Sequence, residues 1–304
     1  MFSSKYILIT PARNEEAHIE RTIKSILAQT LPPIKWIIVS DGSKDRTDEI
    51  VNSYKAHHDV IQLIRVQGNE QRNFCSKVDA INAGYKEIGP IEYQFIGNLD
   101  ADVSLCPDYY ERVIEKFSNN SKLGIAGGII IELDGKKPIS QNISLNSVAG
   151  AVQLFRRQCF LQTGGFIPME FGGEDALLEI VARMDGWEVQ TFPAIEAFHH
   201  RHTGRAGGNL LKSRFREGKM FYALGYHPIF YMIRSLYRVI DKPYFWGSMF
   251  QIYGYLWSTM KKTERPIPQK VVEYLREEQI QRLKSTFIKG KDAKFIPASH
   301  SFKT

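Results

Sequence analysis

Along the first hundred residues, short apolar runs alternate with segments of helical period. Apolar runs stand at residues 5–10, 36–39, 60–66 and 93–99. After the first run, Ile19, Ile23, Ile26 and Leu27 recur at helical spacing up to Gln29, and Leu31-Pro32-Pro33 ends that helix. A second helix is predicted from about Asp45 to Tyr54, with Ser43 or Asp45 as its cap. A third covers 73–87, with Phe74, Val78, Ile81 and Tyr85 on one face. Strand and helix in alternation predict an α/β fold, a mostly parallel central sheet flanked by helices in the Rossmann-like manner.

Such sheets bind ligands at the carboxyl ends of their strands. The loops 11–16, 41–43 and 100–102 stand at those ends, so Asn14, Glu15, Asp41, Asp100 and Asp102 are expected to converge without being adjacent in sequence. Asp100 and Asp102 are spaced by one residue after an apolar run. By itself such a pair reads as a solvated acidic loop. At the end of a sheet strand, two carboxylates facing one spot need a cation, and hard oxygen ligands point to Mg²⁺ or Mn²⁺.

Further along, residues 107–117 read as a helix. Residues 124–131 read as a strand whose pair Gly127-Gly128 marks a bulge or the close approach of a ligand. The polar stretch 133–147 reads as an excursion off the sheet, and 156–162 as a short helix closed by Gly164-Gly165-Phe166. Phe171-Gly172-Gly173-Glu174-Asp175 opens another helix. Glu174 or Asp175 there is either a helix cap or a functional carboxylate in the first turn. Two strand-like runs, 187–192 and 194–198, lead into His199-His200-Arg201-His202, and beside a carboxylate cation site one of these histidines is expected to bind metal.

Charge divides the chain. Residues 1–200 hold 20 Lys/Arg and 26 Asp/Glu, net −6; residues 201–304 hold 20 and 7, net +13. A basic half calls for an anionic partner: a membrane surface, a phosphate-bearing substrate or nucleic acid. Residues 207–224 read as a basic amphipathic helix, and 270–284 as a further helix. Residues 243–260 carry no charge and are rich in Trp, Tyr and Phe. That segment is too polar to span a bilayer comfortably; it suits the membrane interface, packing on the catalytic domain, or a dimer face. Three scattered cysteines indicate a reduced compartment without disulfides. The opening apolar run reads as a first strand and not as a signal peptide. The expected location is cytoplasmic, peripheral at the inner face of the membrane.

The motifs together resemble a family 2 glycosyltransferase of the GT-A fold over residues 5 to about 205. They are Pro-Ala-Arg-Asn-Glu-Glu at 11–16, Asp-Gly-Ser at 41–43, Leu-Asp-Ala-Asp at 99–102, Gly-Gly-Phe at 164–166 and Gly-Glu-Asp at 173–175, followed by His-His-Arg-His. The resemblance implies a catalytic domain at 1–205 and a helical, aromatic-rich, basic extension at 206–304. It implies that Pro11, Ala12, Asn14, Glu15, Asp41, Lys77, Asp100 and Ala101 bind a nucleotide-sugar, a UDP-sugar favoured. Asp102 would hold Mn²⁺ or Mg²⁺ with His199 or His202, His199 favoured because it closes its strand. Asp175 would be the catalytic base, and Gly128, Phe171, Gly173 and Glu174 would lie on the acceptor side.

The implied activity is metal-dependent, inverting transfer of one sugar to an acceptor hydroxyl, in cell-envelope polysaccharide or glycolipid biosynthesis. The acceptor is expected to be a sugar or lipid-linked molecule, and no nucleic acid is expected. The Gln-x-x-Arg-Trp motif of processive relatives is missing after Glu174-Asp175, which favours single-sugar transfer. Arg201 and Thr203-Gly204-Arg205 stand there instead, suited to a diphosphate or an anionic acceptor. Two other readings stand beside this one. A nucleotidyltransferase would show a Gly-rich basic loop after the first strand, where Pro-Ala-Arg-Asn-Glu-Glu stands. A non-catalytic sugar-nucleotide or membrane-binding protein could use the same fold.

Overall fold

Four apolar strands lie side by side and parallel, in the order β3-β2-β1-β4: β1 (Tyr6–Ala12), β2 (Lys35–Asp41), β3 (Ile61–Val66) and β4 (Phe95–Asn98). The connections are α1 (Ile19–Leu27), α2 (Thr47–Lys55) and α3 (Phe74–Lys86). The structure, a computed structural model, describes residues 4–67, 74–133, 138–140, 144–201, 209–240 and 243–288.

Strand alternation buries both faces of this half-sheet. Tyr6 and Leu8 of β1 pack with Trp36 and Ile38 of β2 against Ile19, Ile23 and Ile26 of α1. Ile7 and Ile9 pack with Ile37 and Val39 against Val78, Ala80 and Ile81 of α3. Near-continuous apolar strands are what a sheet covered on both sides requires. Gly84 lets α3 approach closely, since a Cβ there would lie 2.8 Å from Ile9 Cγ2.

Beyond β4 the order continues β8-β6-β9-β5, with β7 paired to β6. The new elements are β5 (Val103–Leu105), α4 (Tyr109–Asn119), β6 (Leu123–Leu133), β7 (Pro138–Ser140), β8 (Leu154–Arg156), α5 (Arg157–Thr163), α6 (Glu174–Met184) and β9 (Glu188–His199). β8 runs antiparallel to both β4 and β6, while β6 and β9 are parallel. Part of the stretch expected to leave the sheet returns to it as β7. The two runs expected around Pro193 are one strand: Gly128 pairs with Phe192 and Ile129 with Glu196, so residues 193–195 bulge out. A proline cannot donate to the ladder and sits at such a bulge.

Contacts divide the chain into two compact units, Met1–Pro168 with Glu174–His202, and Met169–Gly173 with Thr203–Thr304. The second unit holds α7 (Leu210–Ala223), α8 (Pro228–Tyr237), α9 (Phe245–Met260) and α10 (Gln269–Ile288). Asn209 caps α7, its Oδ1 accepting the Leu211 and Lys212 amides at 3.0 and 3.3 Å. Phe221, Tyr222, Tyr231 and Tyr255 form this unit's small core. No helix among the described residues is long and apolar enough to cross a membrane.

Candidate active site

The loop after β4 is held by its backbone. The Asp100 amide donates to the Ala151 carbonyl at 3.0 Å, and the Leu99 amide to Ile9 at 3.1 Å. The Ala101 carbonyl accepts from Thr22 Oγ1 of α1 at 2.8 Å, and the Asp102 carbonyl from the His200 amide at 3.0 Å. With these main-chain groups engaged, the carboxylates are left to face the cleft.

That cleft encloses about 120 Å³ and is lined by Pro11, Ala12, Arg13, Glu15, Asp41, Ser76, Lys77, Ala80, Asp100, Ala101, Asp102 and Arg201. Pro11, Ala12, Glu15, Asp41, Lys77, Asp100 and Ala101, expected in a nucleotide pocket, are all among them. Asn14 is not. It is exposed, with a left-handed φ of 54°, and its Oδ1 accepts the Lys44 amide at 2.8 Å. With Glu15, whose amide donates to Thr47 Oγ1 at 2.7 Å, it ties the 11–16 loop to the loop after β2. Arg13, Ser76 and Ala80 were not singled out as site residues. Ser76 and Ala80 share a helical face with Lys77, a spacing readable in sequence once Lys77 is placed.

Ion pairs organise the cleft. Lys77 Nζ lies 2.7 Å from Asp100 Oδ1, and Arg13 Nη1 3.4 Å from Asp41 Oδ2. Burial by itself would lower the Lys77 pKa, but Asp100, Glu174 and Asp175 raise it well above its ordinary value, so Lys77 stays charged. Asp175 stands in the first turn of α6, its Oδ1 accepting the Ala176 amide at 2.8 Å, and it packs against Gly150, where a Cβ would fall 2.5 Å from Asp175 Oδ2. Glu174 is more deeply buried; desolvation and the neighbouring Asp175 charge raise its pKa.

At the far side of the loop, His199 Nε2 lies 3.1 Å from Asp102 Oδ1. Burial favours the uncharged form of each, yet the pairing prevails: Asp102 sits below the usual carboxylate range and His199 above the usual imidazole range. Arg201 reaches Asp102 Oδ2 at 3.3 Å through Nε and pairs with Glu15 through Nη2. His200 is engaged elsewhere, its Nε2 2.8 Å from Ser104 Oγ. His202, Thr203, Gly204 and Arg205 lie outside the described residues.

The donors present suit a divalent cation. A carboxylate oxygen and an imidazole nitrogen 3.1 Å apart are spaced like adjacent ligands of one octahedral ion, about 3 Å. They are two of the donors such an ion needs, and no cluster of three His, Cys, Asp or Glu occurs among the described residues. A substrate diphosphate could supply the remainder.

Two of the expected acceptor-side residues lie in the second unit. Phe171 stacks under Lys219, whose Nζ is 4.1 Å from the ring centroid, and Gly173 packs on Met220 with a φ of 94°. Gly128 meets backbone on the side where a Cβ would stand. It is buried beneath the β9 bulge, where a Cβ would lie 2.3 Å from the Ile195 carbonyl oxygen, and its amide donates to Tyr109 Oη at 2.8 Å. The glycine pair thus marks the approach of backbone.

Residues 7–175 match the family model described as glycosyl transferase family 2. This chain belongs to that family. It is 33% identical over 115 residues to the poly-beta-1,6-N-acetyl-D-glucosamine synthase of Staphylococcus epidermidis, which is 38% of this chain and 26% of that protein. The synthase of the same name from Staphylococcus aureus strain COL matches to the same extent. The family 2 chain thus spans about a quarter of the length of these relatives. Among solved structures, S. aureus TarS 1-349 in complex with UDP-GlcNAc superposes with TM-score 0.53 at 14% identity, covering 72% of this chain and 65% of that one. The mannosyltransferase PcManGT from Pyrobaculum calidifontis, in complex with GDP-Man and Mn²⁺, superposes with TM-score 0.56 at 14% identity, covering 93% and 75%. These likenesses show a GT-A fold.

Proposed function

We propose that the family 2 chain is an inverting glycosyltransferase that moves one sugar from a nucleotide-sugar to an acceptor hydroxyl in polysaccharide or glycolipid synthesis. One observation carries this reading: carboxylates from the ends of β2 and β4, Asp41, Asp100 and Asp102, line one cleft with Lys77, which pairs with Asp100. The named ligands of the structural neighbours, UDP-GlcNAc and GDP-Man, support a nucleotide-sugar donor. A UDP-sugar is favoured.

Each group then has a job. Pro11, Ala12, Glu15 and Asp41 line the base end, and Asp100 with Lys77 takes the ribose side. Asp102 and His199 would hold Mn²⁺ or Mg²⁺. When bound, the ion neutralises the charge that develops on the leaving diphosphate. Arg201 adds fixed positive charge beside that region. Asp175 accepts the proton of the acceptor hydroxyl as that oxygen attacks the anomeric carbon. The bond from that carbon to the diphosphate oxygen breaks, the nucleoside diphosphate departs, and a single in-line displacement inverts the centre. Glu174, whose pKa is raised by burial and the neighbouring Asp175 charge, borders the acceptor side. The missing Gln-x-x-Arg-Trp motif supports single-sugar transfer, and the basic C-terminal third supports an acceptor presented at an anionic membrane.

The test is a panel of sugar nucleotides screened by thermal shift with Mn²⁺, followed by product analysis with the donor that raises the melting temperature most. Nucleoside diphosphate release with an inverted product supports the reading. Pyrophosphate release, or no sugar-nucleotide binding, overturns it.

A further inference from the structure

Helix α9 is built the wrong way round for a helix in water. Its buried side is small and polar: Gly247, Ser248, Gln251, Gly254 and Ser258, with Tyr255 as the one large residue. This side meets α7 so closely that no side chain would fit at the crossing. A Cβ on Gly254 would lie 2.0 Å from the Phe215 carbonyl oxygen, and one on Gly218 would lie 2.0 Å from that of Gln251. Gln251 Nε2 donates to Glu217 of α7. The opposite side is apolar and exposed: Trp246, Met249, Tyr253, Leu256, Trp257 and Met260, at helical spacing, with Trp246 61% and Met260 67% exposed.

An amphipathic helix of a protein in water puts its apolar stripe inward. Helices packed through glycine and serine, with large apolar side chains turned out, are arranged as in lipid, where close backbone packing and not apolar burial joins them. α9 carries no charge in its 16 residues. It is about 24 Å long, short of the ~30 Å hydrocarbon core. Trp and Tyr favour the headgroup level. Lys261 and Lys262 follow directly and are exposed, with Lys261 Nζ 5.2 Å from the Trp257 ring centroid, and the chain from residue 201 on carries net +13.

From this we infer that the exposed face of α9 lies flat in the interface of an anionic bilayer, with Trp246 and Trp257 embedded at headgroup depth and Lys261 and Lys262 on the lipid phosphates. The inference deepens the proposed function by giving its acceptor a lipid surface. Its physical argument rests on α9 alone.

The full chain is sedimented with vesicles of phosphatidylcholine and with vesicles containing 30% phosphatidylglycerol, in low and high salt. The expected result is binding to the anionic vesicles, weakened by salt, with a blue shift of tryptophan emission. Trp246→Glu with Trp257→Glu is expected to reduce vesicle partitioning at least tenfold while the sugar-nucleotide thermal shift persists. A wild-type chain left in the supernatant with both vesicle types overturns the inference. So does a wild-type dimer in light scattering that the double substitution converts to monomer, because a second copy would then cover this face. Sugar transfer to a water-soluble acceptor is measured in parallel, and its loss would count against the proposed function alone.

Discussion

His199 Nε2 lies 3.1 Å from Asp102 Oδ1 because Val103 of β5 pairs with His199 at the end of β9. Two donors far apart in sequence are set side by side by an antiparallel ladder of three residue pairs. Asp102 stands immediately before β5 and His199 ends β9, so the ladder fixes both positions.

The first prediction concerns that pair. Asp102→Asn keeps the volume and removes the charge; His199→Ala removes the nitrogen. Each should weaken Mn²⁺-dependent nucleotide binding by at least about tenfold. Metal titration of the thermal shift reads this, and a midpoint equal to wild type in both variants would rule out the ligand assignment.

Asp175→Asn should lower kcat by about 10²–10⁴-fold, the usual contribution of general base catalysis. Donor affinity should change little. Calorimetric titration of the donor beside turnover separates the two, and wild-type turnover would remove Asp175 from the mechanism.

Glu179 of α6 binds the segment that supports both carboxylate regions. Its Oε1 accepts the Val148 amide at 2.7 Å and Gln153 Nε2 at 3.1 Å, and its Oε2 accepts Ser147 Oγ at 2.8 Å. That segment carries Gly150, against Asp175, and Ala151, which holds Asp100. Burial pushes the Glu179 carboxyl up to about 7. The folded chain therefore keeps a proton that the unfolded chain releases near the ordinary value of 4.5. Stability is greatest below that value and falls as pH rises to about 7, by roughly 3 kcal/mol at about 1.4 kcal/mol per unit. Glu179→Gln should flatten this dependence in urea melts between pH 5 and 7.5. An unchanged slope would assign the dependence to other groups. Glu179→Ala should cost about 1–3 kcal/mol, since the buried Val148 amide loses its acceptor.

In the second unit, Gly218→Ala and Gly254→Ala each force a methyl into a backbone carbonyl across the α7–α9 crossing. A loss of about 1–3 kcal/mol is expected from overpacking. Chemical denaturation measures it, and a stability equal to wild type would mean that the two helices pack less closely.

The elements legible in the residues are the longer, periodic ones: β1 to β4 and β6, α1 to α7, and α10. Their period signals both type and facing. Three-residue strands show no alternation, so β5, β7 and β8 are not legible, and the helix expected at 156–162 takes in only Arg156, the last residue of β8. Pro193 looked like a break between two strands because a bulge shows only when its partner, here Gly128, is in place.

The order of apolar and polar segments alone determined that this chain forms a covered parallel sheet with acidic loops at its carboxyl edge. Hydrophobic periodicity is a local property, written residue by residue. It also placed Asp100 and Asp102 at a strand end, while the roles expected of Asp175 and His199 came from the family resemblance. Tertiary structure decided which of these touch. Only the β5–β9 ladder joins His199 to Asp102 and sends His200 to Ser104. Only the loop clamp removes Asn14 from the cleft, and only the α7–α9 crossing turns the aromatic side of α9 outward. Such pairings depend on register and backbone approach between distant segments, which no local pattern encodes.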